Sequence, residues 1–436
     1  MPTPTRPLPQ TPLPNLPPSK AATAAAILAF AAGAALLELA LGSLKLGNRA
    51  EAFAFLLVRP WAVALLAVTM ASLTLGWRAR LAPYAVFLLL AGGSEALLLL
   101  RLGNPDPWPE MLRGWAAGAG LALIAEAILA VTGRRFRWAA VAALAILFLI
   151  PAARAGYERI ISEPLPPQDI GKPAVLLMTA LPLIWGEGGA FDPESRPAPL
   201  YTELQREFAL KPIDSLDAAS LDRNEALLLI QPRWLAPEEL VALDAWVRKG
   251  GRVLILTDPT LGWVSELHPG DIRRPPAVGL LKPVLDHWGL HLEPGPGGRA
   301  TVNFERGRLL QLETPGRLTP RSSNCWSERP YVAGCVIGVG RVLVFADVDL
   351  VRHELWAASA GQSNDRNRRR SDNALIVADT LEGMMGVHRE RTAGDVRWRD
   401  LSRPPAAAWL WALISLAGIT FGAGTAALLL SRRGRR

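Results

Sequence analysis

The sequence predicts an α-helical membrane region of six transmembrane helices joined to one α/β domain with a mostly parallel sheet. Three observations predict it. Half of the 436 residues are hydrophobic, high for a wholly water-soluble chain, and they concentrate before Tyr157 and after Pro405 in runs long enough to span a bilayer. Between those runs, the 33 residues from Leu227 to Pro259 read as a complete strand, helix and strand. Charge divides in the same way: residues 156–405 hold 30 Lys and Arg against 33 Asp and Glu, whereas the remainder holds 17 against 6. The formal net charge of +8 therefore belongs to the membrane flanks. No nucleic-acid partner is expected, because the middle domain has no basic excess to offer phosphates.

Residues 1–20 repeat proline with almost no charge, which suits an extended, solvated tail. Apolar spans follow at residues 21–44, 60–76, 82–100, 114–133 and 138–153, giving a five-helix membrane domain over 21–155. No convincing cleavage site follows the first span, so it reads as an anchor. The sixth span, residues 406–430 within the segment 406–431, precedes a basic tail at 432–436. Arginine and lysine orient the set. Placing both termini in the cytoplasm puts 11 basic residues inside and leaves Lys45, Arg49, Arg59, Arg101 and Arg113 outside. The domain at 156–405 then lies outside the cytoplasm.

Within that domain, residues 174–179 read as the first strand and 186–189 (GEGG) as a loop. A helix at 200–208 and a short strand at 211–213 lead into the central unit. Leu227 to Ile230 is a continuous apolar run, as a strand buried on both faces requires. Pro237, Glu238 and Glu239 mark the helix start, Leu240, Leu243 and Val247 recur at helical spacing, and Gly250 and Gly251 stop it. Val253 to Leu256 returns as a second buried strand, and a parallel return of this kind is a crossover unit. Further on, a helix at 280–288, strands or a hairpin insert at 294–316, a late strand at 341–346, a polar arginine-rich loop at 359–373 and a closing helix at 373–385 complete the domain.

Two segments carry a family resemblance: PEELVALDAWVRKGGRVLIL followed by Asp258-Pro259, and GRVLVFADVDLVRHELW followed after a loop by SDNALIVADTLEGMMG. Together they resemble the gliding-motility type auxiliary component of ABC transport systems, with a DUF4350-like, glutamine-amidotransferase-like domain held between membrane helices. The resemblance implies a bacterial inner-membrane protein with a periplasmic domain, acting as a non-catalytic auxiliary or binding subunit. Its implied partners, besides the lipid bilayer, are an ABC permease and a separate ATPase, since this chain has no nucleotide-hydrolysing motif. No cofactor is expected. Two other classes stay open: an envelope enzyme acting on a polar substrate through Asp347 and Asp349, and a membrane sensor or scaffold.

A working amidotransferase needs a cysteine on a sharp turn after a buried strand. Here Gln231-Pro232-Arg233 follows the strand instead, so the fold is expected without that chemistry. Asp258, Asp347 and Asp349 fall just after strands, where open parallel sheets collect ligands. They read either as a ligand site for a polar group or cation, with Arg352 and Asn373 beside them, or as caps of the next turn. His287 and His291 are four apart, but Gly289 breaks the helix that would align them, so no metal site is expected.

In the membrane region, Glu38, Glu95 and Glu126 sit inside apolar runs, where an ionised carboxylate is costly. Arg59 begins the second span on the same, outer side of the membrane as Glu38 and Glu95. A structural ion pair of Arg59 with either one is expected, with a proton or ion path as the alternative reading. Cys325 and Cys335 are the only cysteines. In an oxidising compartment they read as a disulfide, and otherwise as two buried thiols.

Overall fold

The computed structural model describes residues 20–71, 77–131, 146, 148–161, 171–189, 192–193, 196–221, 226–360, 368–387 and 396–433. The chain divides into two compact units, Met1–Ser162 with Ser402–Arg436, and Glu163–Leu401.

The first unit is helical: α1 (Lys20–Leu46), α2 (Phe53–Leu56), α3 (Arg59–Ala71), α4 (Trp77–Leu102), α5 (Trp108–Val131) and α6 (Pro151–Ile161). Pro405–Arg433, numbered α13 below in chain order, joins them. Among the described residues, three helices are long and apolar enough to cross a membrane, over Ile27–Leu46, Arg80–Leu102 and Trp108–Val131. Two shorter apolar stretches, Arg59–Thr69 and Pro405–Gly418, fall in the second and sixth expected spans. Helix α3 has 13 described residues, ~20 Å at 1.5 Å per residue, against a hydrocarbon core of ~30 Å. The fifth expected span lies largely outside the described residues. The boundary of the first unit falls after Ser162 rather than at 155, because α6 packs with α5.

Helix α4 packs against α1, α5 and α13. Between α1 and α3 the chain is pinned by polar groups that would otherwise be buried unpaired. Asn104 Nδ2 donates to the Ala50 carbonyl at 2.9 Å, and the Ala52 amide donates to Glu110 Oε2 at 2.6 Å. The Tyr157 hydroxyl donates to the Leu56 carbonyl at 2.9 Å, which ties α6 to the same segment.

The second unit is an α/β domain built on a seven-stranded sheet. Its elements are β1 (Ala174–Thr179), α7 (Pro199–Glu207), β2 (Ala209–Pro212), α8 (Ala218–Leu221), β3 (Ala226–Ile230), α9 (Pro237–Arg248), β4 (Arg252–Leu256) and α10 (Lys282–Trp288). There follow β5 (Leu290–Glu293), β6 (Arg299–Asn303), β7 (Leu309–Glu313), β8 (Arg317–Pro320), β9 (Cys325–Arg329), β10 (Val332–Ile337), β11 (Gly340–Phe345), α11 (His353–Trp356) and α12 (Asn373–Met385). The sheet order is β2-β1-β3-β4-β11-β10-β9. The first five strands are parallel, and β10 and β9 add an antiparallel edge.

Every residue of β3 is buried, as its unbroken apolar sequence requires of a central strand. Helix α9 starts at Pro237, and the Glu239 carboxylate reaches back to accept the Ala236 amide at 2.9 Å. Arg233 clamps the same carboxylate at 2.8 Å. Gly289, at φ 85°, ends α10 in the left-handed conformation and lets the chain turn into β5. The insert expected at 294–316 contains the antiparallel pair β6–β7, and β5 pairs with β8. Strands β9 and β10 occupy residues the sequence left unassigned. Three middle residues of β9, Trp326 to Glu328, are exposed, so its sequence has the polarity of a loop.

Candidate functional site

Strands β4 and β11 are parallel neighbours, with Leu256 registered against Phe345. Two residues beyond those partners stand Asp258 and Asp347, and Asp349 follows in a short 3-10 turn. The three carboxylates each place an oxygen within 4.8 Å of the others, and all three residues are buried. The backbone explains most of the convergence. Asp258 Oδ1 accepts the Thr260 amide at 2.7 Å, and its Oδ2 accepts the Val348 amide at 3.4 Å. Asp347 accepts the amides of Glu313 at 2.7 Å and Leu350 at 3.1 Å, and Asp349 Oδ2 accepts that of Gly262 at 2.8 Å. Asp349 Oδ1 has no hydrogen-bond partner.

Burial is the main cause that pushes Asp258 up to about 6, and the Asp349 charge adds to it. Burial and then the Asp258 charge hold Asp347 well above the ordinary carboxylate range. Burial raises Asp349 as well. A hard divalent cation would use three carboxylates so placed. Their present work is to clamp three segments together at the carboxyl edge of the sheet, those after β4 and β11 and the end of β7.

Arg352 flanks the cluster, with Nη1 3.9 Å from Asp349 Oδ1, but its short contact is to Glu313 Oε2 at 2.8 Å. Asn373 does not face the aspartates as a ligand. Its Nδ2 donates to the carbonyls of Gln311 at 2.8 Å and Leu350 at 2.9 Å, and its Oδ1 accepts the Gln311 amide and the Ser371 hydroxyl. With both ends of its amide spent, Asn373 joins α12 to β7. His291 pairs with Asp286 at 3.0 Å, and His287 lies 3.7 Å from Asp244.

Gln231 directly follows β3, at the turn where the sequence holds no nucleophilic cysteine. Its φ is +39°, a strained value for a residue with a side chain, and it is fully buried. Its side chain is consumed locally. Nε2 donates to the carbonyls of Asp258 at 3.3 Å and Pro276 at 3.1 Å, while Oε1 accepts the Asp258 amide at 2.9 Å. The turn after β3 thus carries an amide held by the backbone around it, with no thiol.

Sequence reasoning missed a cavity of about 290 Å³ on one face of the sheet. Phe304, Trp326, Val332, Phe345, Ile376 and Met384 supply its apolar wall, and Arg306, Arg308 and Arg341 stand at its polar part. Arg308 pairs with Asp379 at 3.2 Å, and the Arg329 guanidinium lies 5.7 Å from the Phe304 ring centre. Arg306 lies on the turn between β6 and β7 at φ 55°. That backbone outlier beside three arginines has no sequence signature.

Cys325 and Cys335 are directly opposed on β9 and β10, bonded as a disulfide with Cα atoms 4.0 Å apart. In the helical unit, Arg59 Nε donates to Glu38 Oε1 at 2.8 Å and Nη2 to Glu95 Oε2 at 2.7 Å, with all three side chains fully buried. Glu126 accepts Arg80 Nε at 3.0 Å and the Tyr84 hydroxyl at 3.4 Å.

Residues 172–296 match a family described as an ABC-type uncharacterized transport system. The match covers β1 to β5 and supports an auxiliary component of ABC transport. No curated protein matches the chain. Among solved structures, it is similar to exo-β-1,4-mannosidase Op5Man5 from Opitutaceae bacterium strain TAV5, at 15% identity and TM-score 0.31, over 54% of this chain and 39% of that one. The cytoplasmic protein STM1381 of Salmonella typhimurium LT2 aligns at 13% identity and TM-score 0.30, over 48% and 99%. A β-galactosidase from the Antarctic haloarchaeon Halorubrum lacusprofundi aligns at 18% and 0.29, over 55% and 34%. This chain spans less than half the length of the two glycosidases, and similarities this weak carry no functional assignment.

Proposed function

We propose that the protein is a non-catalytic auxiliary subunit of an ABC-type transport system, anchored in a bacterial inner membrane by six helices. In this reading both termini are cytoplasmic and residues 156–405 are periplasmic, held in a glutamine-amidotransferase-like fold of the gliding-motility, DUF4350-like kind. The observation that carries it is the family match over the domain whose strained turn holds Gln231. An amide with both ends hydrogen-bonded supplies neither a nucleophile nor a base. The cavity beside Trp326, whose polar part carries Glu305, Glu328 and Asp379 as well as Arg306, Arg308 and Arg341, then offers a binding place for a small molecule with an apolar body and a polar end. Energy for transport comes from a partner ATPase, with a permease completing the path.

The test is purification of the tagged full-length protein from native membranes, with mass spectrometry of what accompanies it. An ATPase and a permease recovered together support the reading; their absence from every mild-detergent preparation overturns it. A cytoplasm-active reporter fused near Asn303 tests the placement and is expected to be silent. The convergence of Asp258, Asp347 and Asp349 favours the second reading, an envelope enzyme acting through Asp347 and Asp349. On that reading Asp347→Asn would abolish turnover of a polar substrate while leaving partner recovery unchanged.

A further inference from the structure

The helical unit contains a charge imbalance that its own hydrogen bonds leave unresolved. Glu38 on α1 and Glu95 on α4 share one guanidinium, Arg59 at the start of α3, and none of the three is exposed. Each carboxylate gives one oxygen to Arg59. The other oxygens, Glu38 Oε2 and Glu95 Oε1, are buried without any hydrogen-bond donor, as is Arg59 Nη1 without an acceptor. Two ionised carboxylates about one guanidinium would leave a net negative charge in an apolar interior, which desolvation strongly opposes.

We propose that the Glu38–Glu95 pair binds one proton, making the membrane unit the seat of a single buried, exchangeable acid. Both carboxyl groups are gathered on the same guanidinium, Glu38 through Oε1 at 2.8 Å and Glu95 through Oε2 at 2.7 Å. One proton taken from water onto either carboxylate turns an orphan acceptor into a neutral hydroxyl. That step neutralises the cluster, and no further ion is required.

Among the described residues, Arg59 is the one cation in an ion pair with Glu38 or Glu95. Helix α5 meets Arg59 with Gly114 and Gly118. Tyr157 of α6 spends its hydroxyl on the Leu56 carbonyl. Among the unit's other acids, Glu126 bonds Arg80 and Tyr84, Glu110 the Ala52 amide, Glu51 Arg49 and Glu158 Arg154.

Infrared difference spectroscopy of the full-length protein in lipid vesicles at pH 7 tests this. Subtracting Glu38→Gln from wild type cancels the carboxyls of the other unit and isolates the pair. The expected result is one protonated-carboxyl C=O band per chain in wild type and none in the variant, where a lone Glu95 stays ionised against Arg59. Glu95→Gln should give the same difference, and it serves if Glu38→Gln does not fold. A difference spectrum without a protonated-carboxyl band shows both acids ionised and overturns the proposal, as does a band that persists in both variants. Failure of the ABC assignment would leave this measurement untouched.

Discussion

Arg59 lies against the bare backbone of Gly114: a β-carbon built there would sit 2.6 Å from Arg59 Nη1 and 2.5 Å from Leu56 Cδ2. The guanidinium is held from its other sides by Glu38 and Glu95, so it has little room to yield. Gly114→Leu is therefore expected to destabilise the helical unit by about 1–3 kcal/mol or more, the ordinary cost of overpacking. Thermal unfolding of the full-length protein in detergent measures it. An unchanged midpoint would show that Arg59 can move.

Reducing the Cys325–Cys335 bond reopens a loop closed across ten positions. In the chain-entropy model the bond contributes about 3 kcal/mol. A Cys325→Ser/Cys335→Ser double variant should unfold at correspondingly lower denaturant concentration, with β9 the first strand to lose amide protection in hydrogen exchange. Uniform loss across the sheet would contradict that order.

Burial gives Asp258 a folded value near 6 against an unfolded value of 3.8. The folded domain therefore binds this proton more tightly, so the stability it contributes is complete below about pH 4 and is lost as pH rises through about 6. Asp347 and Asp349 shift in the same direction and add to the loss as pH rises. Asp349→Asn would remove one of three adjacent buried charges and put an amide donor where Oδ1 has no partner. It is expected to stabilise the protein by ~1 kcal/mol at pH 7.5 and by less at pH 4.5. Protease susceptibility at the two pH values reads the difference.

Gln231→Ala should cost about 2–3 kcal/mol, because it strands the Asp258 amide and the carbonyls of Asp258 and Pro276. Gln231→Cys would place a thiol on the same strained turn. It is expected to stay inert toward glutamine-analogue electrophiles, since among the described residues no histidine stands beside it in a hydrogen bond or ion pair. Alkylation kinetics at that cysteine provide the check.

Strand β1 and helix α12 fall where the apolar run at 174–179 and the helical spacing at 373–385 put them, because each element's burial is written in its own residues. The ends of β3, α9 and β4 were legible for the same reason. What local pattern could not give was adjacency. That β4 pairs with β11, bringing Asp258 to Asp347, depends on which strands meet. The family resemblance implies Asn373 beside Asp347 and Asp349, yet its amide is shared between Gln311 of β7 and the Leu350 carbonyl. The cavity wall draws on β9, β10, β11, α12 and the β6–β7 turn at once, so no window of sequence contains it. The exposed middle of β9 hid a strand that pairing with β10 alone creates.

The pairing of β4 with β11 also sets a schedule. Synthesis runs from β1 to β4 without interruption, but the neighbour that covers the far side of β4 ends only at Phe345. At ribosomal rates of about 5–20 residues per second, the interval between Leu256 and Phe345 lasts roughly 4–18 s. Throughout it, four strands stand complete with one apolar edge unpaired, a template onto which another nascent chain can add. The hazard in making this protein is thus concentrated in one window of elongation, and slowing the ribosome between β4 and β11 lengthens it.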